Sequence, residues 1–311
     1  MTLGVSPRGQ RLGGEAAKVA AGTVVGRPPR RRRRLSPALR DPCLWAGGAL
    51  LATIVALAVL GGRLAPYDPQ ALSGPPLARP SAAHPLGTDD IGRDLLSQLL
   101  LGGRVALAVG AVAATLATAL AWGLGLLAGL GPRWHAAVGG VADLFLALPF
   151  LPVAILVVAH LGPRPPVVAA TLGLLAWPAF ARVMRARVAA ELAAGYVEAA
   201  RALGARPRAI LLRQVLPATV PVATAKFVLT AQAAIVAEAS LAFLGLGDPT
   251  LTSWGGMIHR GAANGLVFAS GAWRWWLAPP IAAIALLVAA VALLGWALDA
   301  AGTPARQSGR R

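Results

Sequence analysis

The chain has 311 residues, of which 57% are hydrophobic and only 13% charged, with a formal net charge of +17. Soluble globular chains are about 45–50% apolar and about 25% charged, so an ordinary soluble domain is excluded. The positive charge alone would suit a nucleic-acid binder, but its placement around the apolar blocks points to a membrane instead.

Residues 1–43 form a basic tail expected to be cytosolic. Its first 40 residues are rich in Gly, Pro and Arg, lack apolar periodicity and are expected to be disordered. The run Arg30–Arg34 shortly precedes the first apolar block and reads as a topology determinant rather than a nucleic-acid site. Six apolar blocks follow: Leu44–Gly62, Val105–Leu130, Leu144–Leu161, Val167–Ala181, Ala218–Leu244 and Leu277–Leu298. A hydrocarbon core of about 30 Å requires about 20 apolar residues of a helix. The fourth block is short, and its extension meets Pro163, Pro165 and Pro166. The expected fold class is all-α, a polytopic membrane helical bundle with six transmembrane helices. The first block stands too far from the start, and is too long, for a cleaved signal peptide, and reads as an uncleaved signal anchor. Cys43 is the one cysteine, so no internal disulfide is expected.

With six spans and a cytosolic start, segments 1–43, 131–143, 182–217 and 299–311 lie inside and hold 21 of the 29 Lys and Arg residues. Basic excess sets orientation, so both termini are expected inside a plasma membrane. Segments 63–104 and 245–276 are expected outside. In the external loop 63–104, Thr88 or Asp89 is a candidate cap for a helix carrying Leu95, Leu96, Leu99 and Leu100 on one face. Span two is rich in Gly and Ala, as closely packed membrane helices are. Span three carries Asp143, Pro149 and Pro152 and is expected to kink, as is span four at Pro178.

Between spans four and five stands Glu198-Ala199-Ala200-Arg201-Ala202-Leu203-Gly204, with eleven residues between Gly204 and Leu216-Pro217. Leu192, Tyr196, Ala199 and Leu203 recur at helical spacing and suggest one apolar face. Glu198 and Arg201 fall away from that stripe. Gly204 suits a left-handed helix stop, and Pro207 suits the first turn of a second helix. The segment 190–213 therefore reads as a helical hairpin stiff enough to pass a displacement to the flanking spans.

That spacing resembles the EAA loop of ABC-importer permeases. Two further stretches resemble the dipeptide, oligopeptide and nickel branch of type I importers: His84-Pro85-Leu86-Gly87-Thr88-Asp89-Asp90-Ile91-Gly92-Arg93-Asp94, and Glu238 to Gly247 with Ser253-Trp254-Gly255. The resemblance covers roughly residues 40–300 and implies the C-type permease of a pair, with a core permease domain over 105–298. It implies that Glu198, Ala199, Ala200, Arg201, Gly204, Leu216 and Pro217 receive an ATPase subunit. The implied partners are a homologous second permease, two cytosolic ABC ATPase subunits that bind ATP and Mg, and an extracytoplasmic substrate-binding protein. No cofactor in this chain, no metal and no nucleic acid is implied. Gln214 stands where the nominal pattern has a branched aliphatic residue, and the tail after Leu298-Asp299-Ala300-Ala301 is less typical, so its role is not carried over.

Enzyme chemistry finds no support. Lys18 and Lys226 both follow Ala, so no Gly-Lys-Ser/Thr phosphate loop exists. The four histidines lack zinc spacing, and Ser240 has no neighbouring base. Ionisable residues within spans remain candidates for the path or for interhelical charge. These are Lys226, Glu238 and Asp143, with Asp143 or the partner permease as counter-charge to Lys226. Asp89, Asp90, Arg93 and Asp94 fit either an external dock or a local network that folds the loop. An ATP-independent secondary transporter or channel would require matched broken helices in two halves. A membrane anchor that recruits a partner through the hairpin is the other rival.

Overall fold

The computed structural model describes residues 41–302. The expectations for residues before Asp41, Arg30–Arg34 included, and from residue 303 onward lie outside the described residues. Among the described residues five helices are long and apolar enough to cross a membrane, and six segments are if one bent helix pair counts as a single span.

Helix α1 (Pro42–Leu64) begins behind Asp41, whose side chain accepts from the Cys43 N–H at 2.9 Å. Helix α2 (Leu95–Ala128) starts well before the expected second span. At about 1.5 Å per residue its 34 residues run about 51 Å, far more than a hydrocarbon core. The last residues of the segment 63–104, expected as a loop, are therefore the first turns of this helix. Its N-cap is Asp94, not Thr88 or Asp89.

The third span is broken rather than kinked. Helices α3 (Pro132–Leu146) and α4 (Phe150–Leu161) meet at 81°. Pro149 sits between them in extended geometry as the N-cap of α4, and its ring and missing N–H keep α3 from running on through it. Helix α5 (Pro165–Leu192) is longer than the fourth apolar block. Pro165 and Pro166 open it, since a first turn has no use for their missing N–H groups. It also runs on through the polar Arg182–Leu192 stretch.

Helix α6 (Gly195–Ala202) and the short α7 (Pro207–Ile210) make the hairpin, and a π turn over Leu211–Val215 joins α7 to α8 (Leu216–Leu241). The Leu216 N–H reaches back five residues to the Leu211 carbonyl. The wider turn falls just ahead of Pro217, whose ring would crowd an ordinary helical register. The second hairpin arm and span five are thus one continuous rod.

Beyond α8 the chain turns at Gly245, with φ of 87°, into α9 (Trp254–Ala263), α10 (Gly265–Ala269), α11 (Trp273–Trp276) and α12 (Ala278–Gly302). Helix α2 is the spine and packs along α5, α8 and α1. Close approach depends on missing side chains: a Cβ on Gly173 would stand 2.9 Å from the Ala113 carbonyl, and one on Gly125 2.7 Å from Met184 Cβ. The Trp254 indole N–H donates to the Leu99 carbonyl at 2.8 Å and fastens α9 to α2.

Candidate functional site

The hairpin is built around Val197. Its side chain is fully buried among Val188 near the end of α5, Ile210 at the end of α7, and Leu211 and Val215 in the π turn. Ala200, Ala205, Leu192 and Leu126 close the cluster. The expected stripe is corrected: Tyr196, Ala199 and Leu203 point outward, Leu203 being 89% exposed. The reason is local. Helix α5 stops at Leu192, and Ala194 caps α6 in extended geometry. Helical phase does not carry across such a break, so Leu192 predicts nothing about Tyr196.

Gly204 lies in the left-handed region, with φ of 82°. The Gly204 N–H donates to Arg201 O at 2.9 Å and the Ala205 N–H to Ala200 O at 3.0 Å. This pair of bonds is the Schellman closure of a helix, with Ala200 and Ala205 touching the same apolar cluster. Glu198, Ala199 and Arg201 are exposed on the outer side, as is Pro217, while Ala200 and Leu216 are half-buried. The Tyr196 hydroxyl donates to Glu191 Oε2 at 2.6 Å, and Arg187 pairs with Glu191 at 2.5 Å. Burial, then the bond to Glu191, pushes the Tyr196 phenol up to about 12. The surface therefore offers a carboxylate, arginines and a bare leucine on a frame locked to two spans.

The intramembrane candidates are not brought together. Lys226 is half-buried and lines an open cavity of about 400 Å³ with Phe145, Leu148, Phe180 and Thr230, at the break of the third span. It has no ion pair among the described residues. Asp143 is not its counter-charge: Asp143 pairs with Arg182 at 2.8 Å, and both are about two-thirds exposed. A pair so open to solvent contributes little to stability. Glu238 is buried in a separate, much smaller cavity with Val105, Pro165 and Ser253. Among the described residues only one helix pair is sharply bent, so the matched breaks of a secondary transporter are not found there.

On the other side of the bundle, the carboxylates of Asp89 and Asp94 hold the loop. Both residues have no exposed surface. Asp94 accepts from Ser97 N and Ser97 Oγ, each at 2.7 Å, and lies 2.9 Å from His84 Nδ1. Asp89 accepts from the Arg93 N–H at 2.9 Å, Arg93 Nε at 2.7 Å and Gln98 Nε2 at 3.0 Å. Arg260 of α9 reaches Gln98 Oε1 at 2.7 Å, and burial pushes its guanidinium below the ordinary value. Of the four residues considered for external docking, Asp89 and Asp94 are thus occupied internally, while Asp90 and Arg93 are half-buried. Sequence reasoning missed His84, Gln98 and Arg260 as members of this network. Only the His84 to Asp94 run contained a hint, and Arg260 lies far along the chain.

Comparisons with known proteins agree in direction. Residues 121–303 match the family described as binding-protein-dependent transport system inner membrane component. The chain is 34% identical to a glutathione transport system permease protein of Pectobacterium atrosepticum, over 87% of this chain and 89% of that protein. It is 36% identical to a di/tripeptide transport system permease protein of Pseudomonas aeruginosa, over 80% and 84%. A dipeptide transport system permease protein of Bacillus subtilis is 34% identical over 85% and 82%.

Proposed function

We propose that this chain, which belongs to the family of binding-protein-dependent transport system inner membrane components, forms one half of an import path for peptides or related small solutes. The chain is a multi-pass membrane permease subunit of ABC type, and the resemblance of its motifs supports the finer assignments. Half a path needs a second permease beside it. ATP and Mg belong to two separate cytosolic ATPase subunits, and an extracytoplasmic binding protein delivers cargo. The basic excess supports an inward-facing hairpin, with both chain ends on that side.

The observation that carries the reading is the mounting of the hairpin. Val197 is sunk between the end of α5 and the π turn that leads into α8, and that turn joins α7 to α8 as one helical rod. A push on Glu198, Arg201 or Leu203 is therefore delivered to two spans as a rigid-body displacement. The cavity beside Lys226 lies between α5, α8 and the broken third span, where such a displacement would open or close it. Cargo names on the relatives are all peptides or glutathione, which supports a small peptide-like solute here.

Leu203→Asp is the direct test. The side chain is 89% exposed, so folding and membrane insertion should be unaffected, since exposed substitutions usually stay within about 0.5 kcal/mol. Docking of an ATPase over a buried leucine should weaken about tenfold or more, a loss of roughly 1.5–3 kcal/mol. The readouts are co-purification of the ATPase and ATP-driven uptake at matched permease content. Unchanged co-purification would show that the hairpin tip is not the ATPase surface.

A further inference from the structure

Beside the hairpin, the bundle holds an open cavity of about 460 Å³. It is formed by the end of α2, the first turn of α3, the last turns of α5 and Arg201 of α6. His135, Arg185 and Arg201 line it, and among the described residues no carboxylate does. The four ion pairs among the described residues use neither of these arginines. Arg185 Nε is buried with no hydrogen-bond partner. Its guanidinium lies over Gly139 of α3, where a Cβ would stand 2.6 Å from Nη1 and 2.8 Å from Nη2. The first turn of α3, which contributes Pro132 and His135 to the lining, also lacks a side-chain cap, so the positive end of the helix dipole borders the same space.

We propose that this cavity binds a phosphate group, with a phospholipid headgroup as its source. Two arginines, a histidine and an uncapped helix start converge on one volume with no carboxylate among the described residues lining it to neutralise them. Guanidinium groups match phosphate oxygens in a paired, planar geometry that few other anions exploit as well. The surroundings favour a lipid. Trp134, in the same first turn of α3, is 50% exposed, and Leu130 is 41% exposed. An exposed tryptophan next to cationic groups at the end of spans is the arrangement expected at headgroup level. Because Arg185 comes from α5 and Arg201 from the hairpin, the bound phosphate ties the hairpin to α3. Binding itself does not depend on the hairpin being the ATPase surface.

The full-length chain, purified in its transport assembly, is titrated with phosphatidylglycerol, with diacylglycerol and with inorganic phosphate, and retained lipid is counted by native mass spectrometry. Phosphatidylglycerol should be retained and diacylglycerol, which lacks phosphate, should not. Arg185→Gln should weaken retention about tenfold, the order expected for losing a charge-assisted hydrogen bond. Gly139→Ala, which displaces the guanidinium without removing charge, should weaken it in the same direction. Arg208→Gln removes an equal charge from α7, outside the cavity, and should have no effect. Displacement of the lipid by inorganic phosphate would mean that the phosphate alone suffices as ligand, and failure to displace it would assign the site to lipid. Equal losses in Arg185→Gln and Arg208→Gln, or equal retention of diacylglycerol, would overturn the proposal.

Discussion

Gly204 offers a test in which the rank of three substitutions identifies the physical cause. Its φ of 82° closes α6 through the bonds from Gly204 to Arg201 O and from Ala205 to Ala200 O. A Cβ built on it meets nothing within 4 Å among the described residues, so the penalty there is backbone strain. That strain is about 1–2 kcal/mol for an ordinary L-residue and larger for a β-branched one. Asn tolerates the left-handed region several-fold better than most residues. Relieving the strain would break both closing bonds, at about 0.5–1.5 kcal/mol each. The two routes are comparable in size, so the valine variant should reposition α7 rather than unfold the spans. ATP-driven uptake and ATPase co-purification, at matched permease content, should fall in the order Asn, Ala, Val, with Asn near wild type. Since 1.4 kcal/mol is a factor of ten, a strain of about 1–2 kcal/mol should cost alanine about five- to thirtyfold in docking, and valine more. If asparagine is as damaging as valine, the cause is a side-chain collision with the partner and the backbone argument fails. If valine matches wild type in both assays, the hairpin is not the coupling element.

Two further outcomes are expected from single groups. Asp94→Ala removes the cap of α2 and leaves Ser97 and His84 without their shared acceptor. The loss should be about 3 kcal/mol, a cap plus buried donors left unpaired, read as a lowered Tm of the purified assembly; an unchanged Tm would contradict the burial argument. Tyr196 should ionise at about 12, against 10.0 for a free phenol. A raised pKa means that the stabilising bond to Glu191 is fully present below 10.0 and is lost as pH rises through about 12. Ultraviolet titration of a chain with two tyrosines should therefore show one late ionisation that Tyr196→Phe abolishes, and an ordinary phenol titration would refute the assignment.

The spans were legible in the sequence because hydrocarbon thickness sets a length, and length is visible in one dimension. Gly204 and Pro207 were legible for a similar reason: a left-handed turn and a first helical turn restrict residue type without reference to anything distant. Motif spacing likewise sufficed for the family, since the hairpin is a local object. What failed was any inference that carried a helical phase or a partner across a gap. The stripe through Leu192 and Leu203 dissolved because Ala194 breaks the helix and resets its rotation, which put Val197 inside and Leu203 outside. Asp143 met Arg182 instead of Lys226, because charge pairing depends on which helices the bent third span brings alongside. The Asp89 network recruits Arg260 from α9, and the cationic cavity gathers four chain segments. Such sites exist only once packing has chosen neighbours, and a linear order of residues holds no record of that choice.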